Sequence, residues 1–300
     1  MACQTGLVCT QNRRMIAVGS TVIFLIGVAV LAFLLVKNHH KSMPPENWHG
    51  NGTTENLYEI FLGRCYEYIT MINPAAGNKD CRKMLQMLET SVMNKNQCDI
   101  TAADYQKLIE VSSYPIPCNR SLFWSKTSDL VHRYVNAAQN VITLEDTLLG
   151  YIANGLLWCG KSYTSELNYQ SCPSKNECEN NPLSVFWKTA SEHFAKQACG
   201  VVQVMLNGST DTGAIQPESI FWSVEVPNLD PLKITKVQIW IMDNIDGPDR
   251  DSCSSPNTAE LLNTLKERNI SSSCADNYWP VHILQCVRFS DVRDCKFHTR

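Results

Sequence analysis

The sequence predicts a mixed α+β / α/β fold displayed outside a membrane, behind a single N-terminal transmembrane helix. Three observations carry that expectation. An uncharged apolar run, Met15 to Val36, lies near the start of the 300-residue chain. Twelve of the fourteen cysteines, Cys65 to Cys295, follow it. After Cys199 the texture changes from helical periodicity to short β-rich runs bounded by Asn, Gly, Pro and Asp.

The apolar run covers residues 15–36. At about 1.5 Å per residue it spans roughly 33 Å, matching a bilayer core of about 30 Å. A cleaved signal peptide has a shorter apolar stretch and a small-residue cleavage site. Here the run leads into Lys37-Asn38-His39-His40-Lys41, so it reads as a signal-anchor. Flanking charges do not orient it, since Arg13 and Arg14 nearly balance Lys37 and Lys41. The far side does: every N-x-S/T sequon (Asn51, Asn119, Asn207 and Asn269) lies beyond the anchor, with the twelve cysteines. Residues 1–14 are then a cytosolic tail, in which Cys9 is a reduced thiol or a palmitoylation site. Residues 37–56, with prolines and glycines and few large apolar side chains, read as a stalk below an ectodomain over 57–300.

Within the ectodomain, Leu57, Ile60, Phe61 and Tyr68 recur on one side of a helix. Thr101-x-x-Asp104 and Thr143-x-x-Asp146 are capping-box signals, each opening an apolar-periodic helix. Val201 to Leu206, Ser223 to Val226 and Val237 to Met242 read as strands, and Glu260 to Arg268 as a helix between strands. A net charge of −3, without a Lys/Arg stripe, argues against a nucleic-acid partner. No C-x-x-C pair and no zinc-finger His spacing occur, so no metal site is expected.

Gly155-Leu-Leu-Trp-Cys-Gly160-Lys161-Ser162 satisfies the phosphate-loop pattern. That chemistry needs a strand before the loop and a helix after it. The preceding segment, Thr143 to Asn154, reads as a helix, and Leu-Leu-Trp would crowd a phosphate. The match is coincidental.

Read alone, the remaining chemistry-bearing residues have bland explanations. Glu225, between Val224 and Val226, reads as the outward residue of an alternating strand. Glu145 offsets a helix dipole in a first turn. Trp124 and Trp187 read as core or rim aromatics. None of these fixes a reaction.

Several longer segments do. Thr143-Leu-Glu-Asp-Thr-Leu-Leu-Gly150 followed by Trp158-Cys159-Gly160, Asn168-Tyr-Gln-Ser-Cys172-Pro173, Asn180-Asn-Pro-Leu-Ser-Val-Phe-Trp187-Lys-Thr, Val204-Met-Leu-Asn-Gly-Ser209 and Ser223-Val-Glu-Val226 resemble the ADP-ribosyl cyclase / cyclic ADP-ribose hydrolase family. The likeness runs from about Cys65 to Cys295 and includes the cysteine order. It is strongest to the family's type II membrane member of the lymphocyte surface, which has the same short tail and anchor.

The resemblance implies an ecto-enzyme of the plasma membrane that splits NAD into nicotinamide and ADP-ribose, with partial cyclisation to cyclic ADP-ribose and hydrolysis of that product. NAD is then a substrate, and no cofactor is implied. Glu225 matches the catalytic glutamate, Glu145 the acid that contacts nicotinamide, and Ser191 the serine beside the ribosyl intermediate. Trp124 and Trp187 match the stacking tryptophans, Lys126 an arginine near the phosphates, Phe221 a pocket aromatic, and Asn154 an aspartate that helps hold nicotinamide. The resemblance also implies two lobes, a helical one over 57–117 and 143–198 and an α/β one over 118–142 and 199–300 with a small parallel sheet flanked by helices. The implied disulfides are Cys65–Cys81, Cys98–Cys178, Cys118–Cys199, Cys159–Cys172, Cys253–Cys274 and Cys286–Cys295. Partners are NAD and related nucleotides and the bilayer through residues 15–36, with room for a homodimer and cell-surface proteins.

Departures from the family pattern are Asn154 and Gly155 for two aspartates, Ile220 and Trp222 for a threonine and a glycine, and Ser128 for a lysine. They motivate a rival reading, a receptor or adhesion module on the same fold. Retention of Glu225, Glu145, Trp124, Trp187 and Ser191 together speaks against it.

Overall fold

Caps and amphipathic stripes set the helices, and continuous apolar runs set the strands. The structure, a computed structural model, describes residues 47–289 together with Val292 and Cys295. The expected tail and signal-anchor lie outside the described residues, among which no helix is long and apolar enough to cross a membrane.

The folded body takes in residues assigned above to the stalk. β1 (Gly50–Asn51) pairs antiparallel with Ser171 and Cys172. Thr53 and Thr54 donate their backbone amides to the carbonyls of Asn168 and Leu157. Long-range backbone pairing, which polar composition does not reveal, thus draws Gly50 to Thr54 into a folded unit that begins at Trp48.

α1 (Leu57–Glu67) buries Leu57, Phe61 and Cys65, and Tyr68 continues the stripe. α2 (Cys81–Val92) starts at Asp80, whose carboxylate accepts from the Lys83 amide at 2.9 Å. α3 (Ala102–Ser112) opens on the expected box, in which Thr101 donates its amide to Asp104 at 2.8 Å. β2 (Leu122–Ser125) and α4 (Ser128–Ala138) follow. The second box, Thr143 with Asp146, opens a 3₁₀ turn, Leu144–Asp146, and Thr147 then caps α5 (Leu148–Ala153). β3 (Ser171–Cys172) is the partner of β1. α6 (Pro182–Gln197) has Asn181 as its cap and Pro182 in its first turn.

β4 (Gly200–Asn207) leads to a helical turn that ends in α7 (Val226–Asn228). β5 (Ile234–Met242), α8 (Pro256–Glu267), β6 (Ser272–Asp276) and α9 (Trp279–Cys286) complete the described elements. The strands form a parallel sheet in the order β2-β4-β5-β6. Both faces are covered, as parallel sheets require. Phe123, Val202, Val204, Leu206, Val237, Ile239 and Ile241 point into the large core shared with α1, α2, α3, α5 and α6. Leu122, Met205, Trp240 and Met242 point into a smaller one with Leu130, Val131 and Val135 of α4 and Val281 of α9.

Two element assignments change. Ser223 to Val226 is not a strand: residues 221–228 are helical, and Ser219 Oγ accepts from the Trp222 amide at 3.2 Å to cap their start. Four alternating residues outweigh neither that cap nor Pro227, which fits the first turn of a helix and would interrupt a ladder. The helix read from Glu260 begins earlier, at Pro256, the usual place for proline. All six disulfides form in the implied pairs. Cys118–Cys199 ties the chain leading into β2 to the chain leading into β4, with 4.6 Å between Cα atoms.

Candidate active site

In an open parallel sheet, side chains meet in the crevice beyond the carboxyl ends of the strands. The cleft here has that placement. Trp124 and Ser125 end β2, and Lys126 follows them; α6 contributes Trp187, Ser191 and Phe194 from one face, at spacings of four and three. The 3₁₀ turn contributes Glu145, and the helical turn after Ser219 contributes Ile220, Phe221 and Glu225. Together they line a space of about 300 Å³.

Glu225 is only 7% exposed. Burial pushes its carboxyl up to about 8, a hydrogen bond from Ser191 pulls the other way, and the Glu145 carboxylate adds to the rise. Glu145 is in turn fixed by Trp124, whose indole Nε1 donates to Oε2 at 3.3 Å. Gly150 lets the 3₁₀ turn lie close against α5: a Cβ there would come within 2.0 Å of the Leu144 carbonyl oxygen and 2.7 Å of the Glu145 Cα. The half-buried faces of Trp124 and Trp187 flank the two acids. Trp187 is braced edge-on by Phe186, with centroids 5.2 Å apart. Two acidic side chains between aromatic faces make a cleft suited to a planar cation, or to a group that becomes cationic as it reacts.

Lys126 is exposed at the rim, with φ of +59°, a left-handed conformation costing on the order of 1 kcal/mol for a residue with a Cβ. Asn207 at the end of β4 holds it there: its Nδ2 donates to the Lys126 carbonyl at 3.0 Å and to Asn244 Oδ1 at 3.3 Å. Asn207 also begins one of the four sequons. Asn207 as a residue is 9% exposed. Asn51, Asn119 and Asn269 are exposed.

The structure therefore gathers Glu225, Glu145, Ser191, Trp124, Trp187, Lys126 and Phe221 in one cleft. Asn154 is not among its lining residues; it is exposed at the end of α5, and its carbonyl accepts from Arg64 Nη1 at 2.6 Å. The strand-exposed reading of Glu225 fails with the strand itself. Of the departures, Ile220 lines the cleft while Trp222 packs against the main core. Sequence reading missed Ser125 and Phe194 as lining residues; the i, i+4, i+7 spacing of Trp187, Ser191 and Phe194 was the available signal for the latter. A larger groove of about 350 Å³ lies across Trp187 and Ile220, but neither Glu225 nor Glu145 lines it. The phosphate-loop match has no strand before it: α5 precedes it and Cys159 is bonded to Cys172. Among the described residues no cluster of His, Cys, Asp and Glu could hold a metal.

Comparison with known proteins agrees with this geometry. The profile of the ADP-ribosyl cyclase family matches residues 54–295. A rat protein named ADP-ribosyl cyclase/cyclic ADP-ribose hydrolase 1 is 46% identical over 85% of this chain and 84% of its own length. A human protein named ADP-ribosyl cyclase/cyclic ADP-ribose hydrolase 2 is 40% identical over 83% of this chain and 78% of its own. Among solved structures, porcine CD38 complexed with a covalent intermediate is 40% identical, with a TM-score of 0.73 over 77% of this chain and 99% of that one. Aplysia cyclase complexed with substrate NGD and product cGDPR is 29% identical, with a TM-score of 0.78 over 82% of this chain and 99% of that one.

Proposed function

The chain belongs to the ADP-ribosyl cyclase family, and from that premise we propose how its cleft works. It is an enzyme that breaks the bond between nicotinamide and ribose in NAD, yielding nicotinamide and ADP-ribose, with partial cyclisation to cyclic ADP-ribose and hydrolysis of that product. The observation that carries the mechanism is Glu225, a buried carboxyl among tryptophans with a second acid in the same cleft.

Nicotinamide leaves as a neutral base from a pyridinium, taking the electron pair of the broken C–N bond. No general acid is needed for that step. Positive charge develops on the ribosyl carbon, and the Glu225 carboxylate opposes or covalently traps it. Water attacking that carbon gives ADP-ribose and a proton; attack by the substrate's own far end gives the cyclic product. Burial pushes the Glu225 carboxyl up to about 8. A cationic pyridinium entering between the tryptophans favours the ionised form, so binding arms the carboxylate. Ser191 donates to it, Glu145 faces the nicotinamide end, Trp124 and Trp187 stack on the substrate, Phe221 closes the wall, and Lys126 meets the phosphates as a point charge.

The six disulfides mark the folded body as extracellular. The anchor over 15–36, the type II orientation at the plasma membrane and the division into a helical and an α/β lobe belong to this proposal, supported by apolar length, sequon placement and resemblance. The test is to give intact cells expressing the full chain NAD in the medium, beside cells expressing Glu225→Gln. Nicotinamide and ADP-ribose appear in the medium only with the parent. Intact NAD over correctly displayed, disulfide-bonded parent protein would overturn the reading.

A further inference from the structure

The helical turn that bears Glu225 ends abruptly. After Val226–Asn228 the chain turns extended at Leu229. The last carbonyls of such a turn have no partners within the helix and must find them elsewhere. Here they find one side chain from a distant part of the sequence. Arg268, just past the end of α8, donates from Nη1 to the Val226 carbonyl oxygen. Its Nη2 donates to the carbonyl oxygens of Pro227 at 3.0 Å and Leu229 at 2.6 Å. One planar guanidinium thus gathers three carbonyls, the first of them belonging to the residue next to Glu225.

We propose that Arg268 is a positioning residue for the reaction, a clamp that fixes the direction of the Glu225 carboxylate by holding the carboxyl end of its turn. Asn228 holds the residue before the acid, its Nδ2 donating to the Val224 carbonyl at 2.8 Å, and the carbonyls after the acid are left to Arg268. Pro227 has no amide hydrogen to contribute, and the Leu229 amide reaches the Val226 carbonyl only at 3.4 Å. The opposite end of the turn is held at Ser219, whose hydroxyl accepts from the Trp222 amide and whose carbonyl accepts from the Ser223 amide and hydroxyl. The groups that set the acidity of Glu225 are its burial, Ser191 and Glu145. The influence of Arg268 is accordingly geometric and passes through the backbone. The fork geometry matters, since an ammonium is a point charge that cannot span three diverging carbonyls in one plane. Arg268 is half-buried, so a small cation from solvent can reach the place its head group occupies.

This inference rests on the NAD-cleaving reading, and its test separates the two. Arg268→Met and Arg268→Lys are made in the full chain, and kcat and KM for NAD are measured beside the parent, with and without added methylguanidinium. A carboxylate displaced by a fraction of an ångström loses transition-state contact more than substrate binding, so kcat for Arg268→Met falls roughly 10- to 100-fold. KM stays within about twofold, since the stacking tryptophans are untouched. Arg268→Lys falls between, and methylguanidinium restores part of the lost kcat to Arg268→Met alone. Parental kcat in both variants overturns the clamp. So does a loss in Arg268→Met that tracks the fraction of unfolded protein and is not rescued, because that is a merely structural cap. If Arg268→Met fails to reach the surface, Arg268→Lys decides: reduced kcat at unchanged KM supports the clamp, and parental kcat removes it. An inactive parent instead removes the NAD-cleaving reading, and the clamp with it.

Discussion

The two acids of the cleft sit on turns built in opposite ways. The turn of Glu145 is held by its own neighbours: Thr143 and Asp146 cap each other, Thr147 caps the helix that follows, and Gly150 presses back on Leu144. The turn of Glu225 has local bonds at Ser219 and from Asn228 to Val224, but the carbonyls after the acid depend on Arg268, 43 residues beyond it (268 − 225). A self-capped turn tolerates change elsewhere in the protein. A turn held from a distance transmits such change directly to the reacting group.

The largest expected effect tests which acid carries the chemistry. Glu225→Gln lowers kcat for NAD cleavage by at least about 10³-fold, measured as nicotinamide release, whereas Glu145→Gln leaves substantial cleavage and alters the product ratio. Comparable losses from both would erase the distinction. Next is the pH profile. Because kcat/KM reports the free enzyme, it should rise about tenfold per pH unit toward a plateau near 8. Glu145→Gln should move that limb to lower pH, since the neighbouring carboxylate helps raise Glu225.

Stability gives a third test, with the opposite sign from the usual acid. The folded value of about 8 lies above the reference value of 4.5, so between those pH values the folded protein holds a proton that the unfolded chain has released. Stability from this group is full below about pH 4.5 and is lost as pH rises toward 8, by at most about 1.4 kcal/mol per unit. Melting temperatures of Glu225→Gln and parent should coincide near pH 4 and diverge above it, with the variant the more stable. A smaller effect is expected at Gly150→Ala, where overpacking costs about 1–3 kcal/mol and displaces Glu145. The smallest is Thr143→Ala, which loses one cap worth about 1 kcal/mol, read as a melting shift of a few degrees.

The same contrast explains what could be read from sequence. Thr143-x-x-Asp146 and Thr101-x-x-Asp104 are legible because cap and capped amide lie three residues apart. β4 and β5 were legible because strands buried on both faces read as apolar runs. The turn of Glu225 was misread as a strand because its Val-Glu-Val alternation masked the Ser219 cap, and Arg268, which holds the carbonyls after the acid, is remote in sequence. β2 and β6 were overlooked: β2 is four residues long, and Ser272–Asp276 is polar and small. The identity of the site residues came from resemblance, since periodicity gave Glu225 and both tryptophans ordinary roles.

The order of strands in the sheet bears on how the protein is made. β2 pairs with β4 rather than with any strand near it in sequence, and β5 follows on β4's other side. The lining residues run from Leu122 to Glu225, so the pocket has no existence on the ribosome until its last wall has left the exit tunnel. Each growing chain therefore passes through an interval in which β2 is made but its partner β4 and the last wall of the cleft are not.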